Sequence, residues 1–157
     1  MLQNHTIFKI KGKIQHYAWG GFNYIPQLLN IENTNHQPFA EYWLGAHPSA
    51  PAQIISNPNT SLQELIQANP AEVLGQKVVQ QFNELPYLFK VLDVHDMLSI
   101  QVHPSKAEAI KGFEAEEAAG IPINASNRNY KDKNHKPEVM VALSDFWLLH
   151  GFKSKEA

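Results

Sequence analysis

The sequence predicts a mainly β fold with inserted helices, in the form of an antiparallel sandwich or a small barrel. Segments with strand patterns follow one another along the chain, and helices marked by capping sequences interrupt them. The regular strand–helix alternation that builds parallel sheets is absent from the pattern. With 157 residues, 43% of them hydrophobic and 18% charged, the length predicts one domain with a buried core.

The composition excludes several classes of function. The formal net charge is −2 and Arg128 is the one arginine, so we expect no basic surface for nucleic acid or an anionic membrane. Cysteine is absent, which excludes disulfides, thiolate metal sites and a cysteine nucleophile. The sequence shows no signal-peptide pattern and no run of about 18 apolar residues, so we expect a soluble, cytoplasmic protein. The eight histidines are the unusual feature.

The first predicted strands lie in the N-terminal third of the chain. In Ile7–Ile14, apolar residues alternate with lysines, which predicts a strand with one buried and one wet face. The glycine pair Gly20–Gly21 predicts a tight turn beside two aromatic residues. Phe39–Ala46 predicts a second strand, and Ala52–Ile55 predicts a short third one.

Capping residues predict helices over 61–82. Ser61 and Glu64 have the spacing of a capping box. Asn69 offers an N-cap, and Pro70 then stands at the first helical position, where its missing N–H is tolerated.

Two further strands are predicted in the middle of the chain. Leu85–Val94 is apolar on both faces, which predicts a central, buried strand in which Lys90 is the exception. Met97–His103 predicts the next strand, which stops at Pro104.

A helix and a long polar loop precede the last predicted strands. Ser105 opens a second capping box, which predicts a helix to about Ala119. The polar stretch 120–137 is long for a loop inside a compact domain, and such loops are usually functional or mobile. Strands are predicted after it at Glu138–Leu143 and Phe146–His150.

Gln101 and His103 are the first candidate metal ligands. Strict alternation of the segment around them places both side chains on one face of the predicted strand. Two polar side chains at that spacing can reach one metal ion. The alternative interpretation is a row of polar residues facing solvent on an ordinary amphipathic strand.

A second cluster lies where the polar loop enters the predicted strand at Glu138. Glu138 is a candidate third metal ligand, and Lys136 is a candidate for binding a phosphate or, if partly desolvated, carrying a proton. His135 stands beside them in the same cluster. The alternative is a solvated loop with a routine charge pair.

A third cluster combines an acid with aromatic residues. Glu41 and Trp43 share a face of the second predicted strand, and an acid beside an aromatic ring suits a sugar. Aromatic strands are more often core than site, and Lys90 has the alternative role of an edge lysine that reaches solvent.

Five segments together resemble type I mannose-6-phosphate isomerase. They occur in the order of that family and extend over nearly the whole chain, and the last is close to a family signature. The segments are Tyr17–Gly20, Ala40–Pro48, Leu85–Lys90, Leu98–Pro104 and Tyr130–Glu138.

The resemblance implies a zinc-dependent enzyme with a cupin-type jelly roll that interconverts mannose 6-phosphate and fructose 6-phosphate. In this family Gln, His, Glu and a second His hold the zinc, and the first three correspond to Gln101, His103 and Glu138. Lys136 and His135 are the implied catalytic residues. The implied sugar-phosphate contacts are Ser99, Trp19, Glu41 and Lys90.

The resemblance also implies that residues 1–157 are the N-terminal part of a cupin catalytic domain. Family members are more than twice as long, and the fourth zinc ligand comes from their later part. We therefore expect the remaining part of the same protein to be the partner of this chain. The alternative is a non-catalytic sugar-phosphate-binding or regulatory module on the same scaffold. A cupin oxygenase is disfavoured, because its metal strand is typically richer in histidine than one that carries Gln101.

Overall fold

Two small antiparallel sheets form the framework of the first part of the chain in a computed structural model that describes residues 7–149, 151 and 154. Residues up to Leu98 and residues from Ser99 onward form two compact units. In the first unit, one sheet has the order β1–β4–β5 and the other the order β2–β3–β6. The strands are β1 (Ile10–Lys11), β2 (Lys13–Gln15), β3 (Glu41–Leu44), β4 (Gln53–Ile54), β5 (Asn57–Ser61) and β6 (Phe89–Leu92).

Gly12 divides the predicted strand Ile7–Ile14 between the two sheets, so that β1 belongs to one sheet and β2 to the other. The Gly12 N–H donates to the hydroxyl of Tyr42 at 2.7 Å. A Cβ atom at position 12 would lie 2.3 Å from the carbonyl oxygen of Trp43, which no side chain tolerates. A close approach of backbone segments therefore requires this glycine.

The helices of the first unit follow the predicted capping residues in part. Three short helices occupy the predicted range: α2 (Leu62–Ala68), α3 (Pro70–Leu74) and α4 (Gln76–Phe82). The capping box at Ser61 is confirmed, because its hydroxyl accepts from Glu64 N and the Glu64 carboxylate accepts from Ser61 N at 2.7 Å. Pro70 stands at the start of α3, but Asn69 makes no side-chain capping bond. Helix α1 (Tyr24–Leu29) is not predicted by the sequence pattern.

The glycine pair Gly20–Gly21 serves close packing. The turn comes just before it, where Gly20 N donates to Tyr17 O at 3.0 Å. A Cβ atom on Gly20 would lie 2.6 Å from the backbone of Ala40, and one on Gly21 would lie 2.0 Å from a carboxylate oxygen of Asp93. The two glycines let this segment pass against the sheet that contains β3 and β6.

The core of the first unit lies between α1 and the β2–β3–β6 sheet. Ile25, Phe39 and Tyr42 are buried there, and partly buried apolar side chains pack around them. The prediction that Leu85–Val94 is a central, buried strand is wrong. Among the described residues only 89–92 form a strand, β3 is its neighbour on one side, and Phe89 is 60% exposed. The apolar run predicts that other parts of the chain cover both faces of this strand. In the described residues the strand stands at the edge of its sheet and part of it stays exposed.

The second unit contains α5 (Lys106–Ala118). The capping box at Ser105 is confirmed, since Ser105 Oγ accepts from Glu108 N at 3.3 Å and the Glu108 carboxylate accepts from Ser105 N. The helix ends within one residue of the predicted position at Ala119.

The strands predicted at Met97–His103 and Glu138–Leu143 do not form in this part of the structure. Alternation fixes which side chains share a face, but a strand also needs a hydrogen-bonded neighbour along its backbone. Val102 is 85% exposed and Val139 is 96% exposed, so no layer of the described chain covers these faces. Phe146–His150 is not a strand over 146–149, and His150 lies outside the described residues.

The described residues thus combine small antiparallel sheets with helices, as the sequence predicts in outline, although the two are mixed more evenly than in a mainly β fold. Within 7–149, 151 and 154, no helix has the length and apolar character that a membrane crossing needs.

Candidate active site

His103 and Glu138 lie next to each other in the second unit. His103 Nε2 is 3.7 Å from Glu138 Oε2, although the two residues are 35 positions apart in the chain. This separation is longer than a hydrogen bond, which needs about 2.7–3.2 Å. Two donors that bind one tetrahedral metal ion at about 2.0–2.2 Å lie roughly 3.3–3.6 Å apart. The pair therefore has a spacing close to that of two ligands of one ion.

Gln101 is exposed and stands two positions before His103 in the same unit. Because 97–103 is not a strand, the shared face predicted for Gln101 and His103 is not imposed by a β ladder. Within the described residues, no group of three His, Asp or Glu side chains is placed to hold a metal. The structure thus brings two of the three predicted ligands together, and the third, an amide, is their neighbour in sequence.

Lys136 and His135 are both exposed in the segment that leads to Glu138. Lys136 Nζ lies 3.3 Å from Asp132 Oδ2, and Asp132 Oδ1 accepts a hydrogen bond from Asn134 N at 2.8 Å. Asp132 therefore fixes the backbone of the segment before Glu138. It also holds the ammonium group of Lys136 close to its own carboxylate.

Arg128 is the residue of this unit whose structural role the sequence pattern does not predict. Its side chain is completely buried, and its guanidinium carbon lies 4.9 Å from the centroid of the Phe113 ring. The available signal was the position of a single arginine in a polar loop, after a helix that carries Glu114, Glu116 and Glu117. A buried arginine needs such acids, since an unpaired charge is costly to bury.

Glu41, Trp43 and Lys90 form a cluster on the β2–β3–β6 sheet of the first unit. Trp43 pairs with Lys90 across β3 and β6. Glu41 is 7% exposed and accepts a hydrogen bond from Trp43 Nε1 at 2.6 Å, which confirms the predicted shared face. Lys90 Nζ lies 3.6 Å from Glu41 Oε1 and 5.3 Å from the centroid of the Trp43 ring. Lys90 is therefore part of the Glu41 network instead of reaching freely into solvent.

Trp19 lies beside Tyr17, with 5.7 Å between the ring centroids. The carbonyl oxygen of Trp19 accepts from the backbone N–H groups of His95 and Asp96 at 3.0 and 3.3 Å, which fixes this turn against the segment after β6. Burial raises the pKa of the Tyr17 hydroxyl, and the negative charge of Glu41 raises it further.

The predicted site residues divide between the two units. Trp19, Glu41 and Lys90 belong to the first unit. Ser99 is the exposed first residue of the second, which also contains Gln101, His103, His135, Lys136 and Glu138. The structure groups Glu41 with Lys90 and His103 with Glu138, and a single site that unites all of them stays a prediction.

Comparisons with known proteins identify relatives over almost the whole chain. A family model of the type I phosphomannose isomerase catalytic domain matches residues 7–155. The mannose-6-phosphate isomerase of Salmonella typhimurium is 45% identical over 147 residues, which are 92% of this chain and 38% of the relative. The Candida albicans mannose-6-phosphate isomerase is 36% identical, over 97% of this chain and 35% of the relative.

The fold is similar to solved structures of the same family. A crystal structure of the Salmonella typhimurium mannose 6-phosphate isomerase bound to its substrate f6p and zinc has a TM-score of 0.71 at 45% identity, over 84% of this chain and 34% of that one. A zinc-bound mannose 6-phosphate isomerase structure matches with the same TM-score over 83% of this chain and 34% of that one. The chain spans a little over a third of the length of the curated relatives it matches.

Proposed function

Since the chain belongs to the type I phosphomannose isomerase family, we propose that it forms part of an isomerase that interconverts mannose 6-phosphate and fructose 6-phosphate. The observation that carries this proposal is the 3.7 Å separation of His103 Nε2 and Glu138 Oε2, two residues that the family resemblance assigns to the metal. The relatives that cover the chain are mannose-6-phosphate isomerases.

We propose a zinc site with Gln101, His103 and Glu138 as its ligands from this chain. An imidazole nitrogen and a carboxylate oxygen are zinc donors, and their spacing here suits one tetrahedral ion. A neutral amide as the third donor leaves more net positive charge on the ion than a second carboxylate would. Bound zinc would polarise the sugar carbonyl as a Lewis acid and stabilise negative charge that develops on its oxygen.

The reaction needs a proton to move between C1 and C2 of the sugar through a cis-enediol, and Lys136 and His135 are the proposed participants. Both stand within three positions of Glu138 and are exposed. A substrate bound at the zinc site would therefore be close to both side chains. The ion pair of Lys136 with Asp132 would have to open before the ammonium group could contact the sugar. The choice of Lys136 or His135 as the base stays open.

Ser99, Trp19, Glu41 and Lys90 are the proposed contacts to the sugar phosphate. A carboxylate held by Trp43 and Lys90 can accept hydrogen bonds from sugar hydroxyls with one fixed orientation. Lys90 offers a positive charge to an anionic substrate, and the indole ring of Trp19 offers an apolar face to the sugar ring.

The cupin-type jelly roll is the proposed architecture of the complete catalytic domain, and the remaining part of the same protein is the proposed partner of this chain. The faces around Val102 and Val139 support this, because exposed apolar residues are concentrated there and need cover. The cytoplasmic location of the complete protein stays a prediction.

A chimera tests the proposed function. Residues 7–155 replace the matched segment of the Salmonella typhimurium enzyme, and a coupled assay follows the isomerisation of mannose 6-phosphate. We expect activity that disappears on chelation of the metal and returns with zinc. The matched control carries Glu138→Ala and should fold without regaining activity in zinc. A folded, zinc-loaded chimera without isomerase activity would disprove the proposal.

A further inference from the structure

Arg128 fastens the loop that follows α5 to the helix itself. Its Nη1 donates to the carbonyl oxygen of Ile121 at 2.6 Å, and its Nε donates to the carbonyl oxygen of Tyr130 at 2.7 Å. Nε also lies 3.1 Å from Glu116 Oε2. The guanidinium group thus joins two points of the loop to Glu116 on the helix, and the Arg128 side chain has no exposure to solvent.

Glu116 holds the backbone of the loop directly. One of its carboxylate oxygens accepts from the backbone and side-chain nitrogens of Asn129 at 3.0 and 3.3 Å, and the other accepts from Tyr130 N at 2.8 Å. These bonds stabilise the charged carboxylate, and the one from the Asn129 backbone contributes most to lowering the pKa of Glu116.

The neighbouring acid Glu117 touches the same arginine in a different way. Its Oε1 lies 2.8 Å from Arg128 Nη2, yet Nη2 makes no hydrogen bond of acceptable angle to any described residue. The Glu117 side chain is half exposed, and its carboxylate accepts no hydrogen bond from a backbone N–H of the described loop residues. Glu117→Ala therefore removes an acid beside Arg128 but no carboxylate bond to the loop backbone, which makes it a control for the bonds that Glu116 accepts.

The loop is closed again near both predicted ligands. The Lys106 ammonium group donates to the side-chain oxygen of Asn134. Lys106 follows His103 by three positions, and Asn134 precedes Glu138 by four. If 106–134 is held as one body, the free chain between His103 and Glu138 is seven positions long. Without that constraint it is 35 positions long.

We propose that Glu116 and Arg128 are positioning residues that keep His103 and Glu138 at the separation a metal ion needs. This inference rests on the proposed zinc site. The probability of bringing two chain ends together falls as the −3/2 power of the free length, so a fivefold longer free chain would lower it roughly tenfold. Loss of the bonds that hold this loop should therefore weaken zinc binding by up to about tenfold.

Zinc dissociation constants of the 157-residue chain, measured by competition with a chromophoric chelator, test the inference. We expect Glu116→Ala to weaken zinc binding between threefold and about tenfold, and Glu117→Ala to change it less than twofold. Alanine suits both helical positions, so helix propensity does not separate the variants. If Glu116→Ala weakens zinc binding no more than Glu117→Ala, the positioning role is disproved while the zinc site stands.

Two further results separate the inference from the proposed function. If the unaltered chain binds no zinc, the zinc site fails, and the inference falls with it. Hydrogen exchange of the unaltered, zinc-free chain covers the case in which Glu116→Ala does not fold. We expect the amides of Asn129 and Tyr130 to be protected before zinc is added, and exchange at the rate of an unstructured peptide would overturn the positioning role.

Discussion

Asp93 caps α1 from a distant part of the chain. Replacing Asp93 should therefore lower the free energy of unfolding of the first unit. One carboxylate oxygen of Asp93 accepts from the backbone N–H groups of Tyr24 and Ile25 at 3.0 and 3.2 Å. These are N–H groups at the start of α1, which have no partner within the helix. The helix has no cap of its own, because Asn23 makes no side-chain capping bond.

The magnitude follows from these contacts. Loss of an N-capping carboxylate costs about 1–2 kcal/mol, and Ile25 is completely buried in the core, so the helix cannot fray there without exposing it. We expect Asp93→Ala to lower the free energy of unfolding by about 1–2 kcal/mol. Asp93→Asn keeps a neutral acceptor and should lose less, since only the interaction of the charge with the helix terminus is removed.

Urea unfolding of the 157-residue chain, followed by circular dichroism, measures this difference. Asp96→Ala is the matched control, because Asp96 is three positions away and its 2.9 Å ion pair with His95 is exposed to solvent. We expect the control to stay within about 0.5 kcal/mol of the unaltered chain. Equal losses in the Asp93 and Asp96 variants would refute the remote cap.

Three further predictions concern the zinc site, acid stability and the exposed faces. Glu138→Ala should lower the zinc affinity of the chain more than Lys136→Ala, whereas Lys136→Ala should mainly lower kcat in the chimera. Equal loss of metal in both would contradict this division of roles. The pKa of Glu64 is lowered from 4.5 chiefly by its hydrogen bond from the Ser61 backbone, so the stability it contributes is present above pH 4.5 and is lost as the pH falls through the lower, folded value. In urea unfolding, Glu64→Gln should therefore lose less stability than the unaltered chain between pH 6 and pH 3, and equal losses would refute this. The chain alone should self-associate through its exposed apolar faces, and a monomer with a cooperative melt at high temperature, seen by analytical ultracentrifugation and calorimetry, would oppose this.

The sequence predicts the features whose causes are local. The capping boxes at Ser61 and Ser105 are confirmed because each depends on two residues three positions apart. The closeness of Glu41 and Trp43 is confirmed because alternation along one strand sets it.

The features that escaped prediction depend on distant parts of the chain. Helix α1 is missed because its cap, Asp93, comes after β6. The strand predicted at Met97–His103 is absent because alternation does not supply a pairing partner. The burial of Arg128 is not predicted, because the acids that pair with it lie on a helix eleven and twelve positions earlier. The closeness of His103 and Glu138 was a hypothesis from their residue types, and the family resemblance strengthened it, because no local pattern links positions 35 apart.

The remote cap of α1 also has a consequence for the order of folding. A six-residue helix is far too short to be stable alone, and its capping carboxylate is synthesised almost seventy positions later. We therefore expect α1 to become stable only after β6 has paired with β3, which positions Asp93 at the start of the helix. During synthesis, Ile25 and Phe39 therefore lack a finished core until that strand has emerged, and apolar side chains exposed in this way favour aggregation.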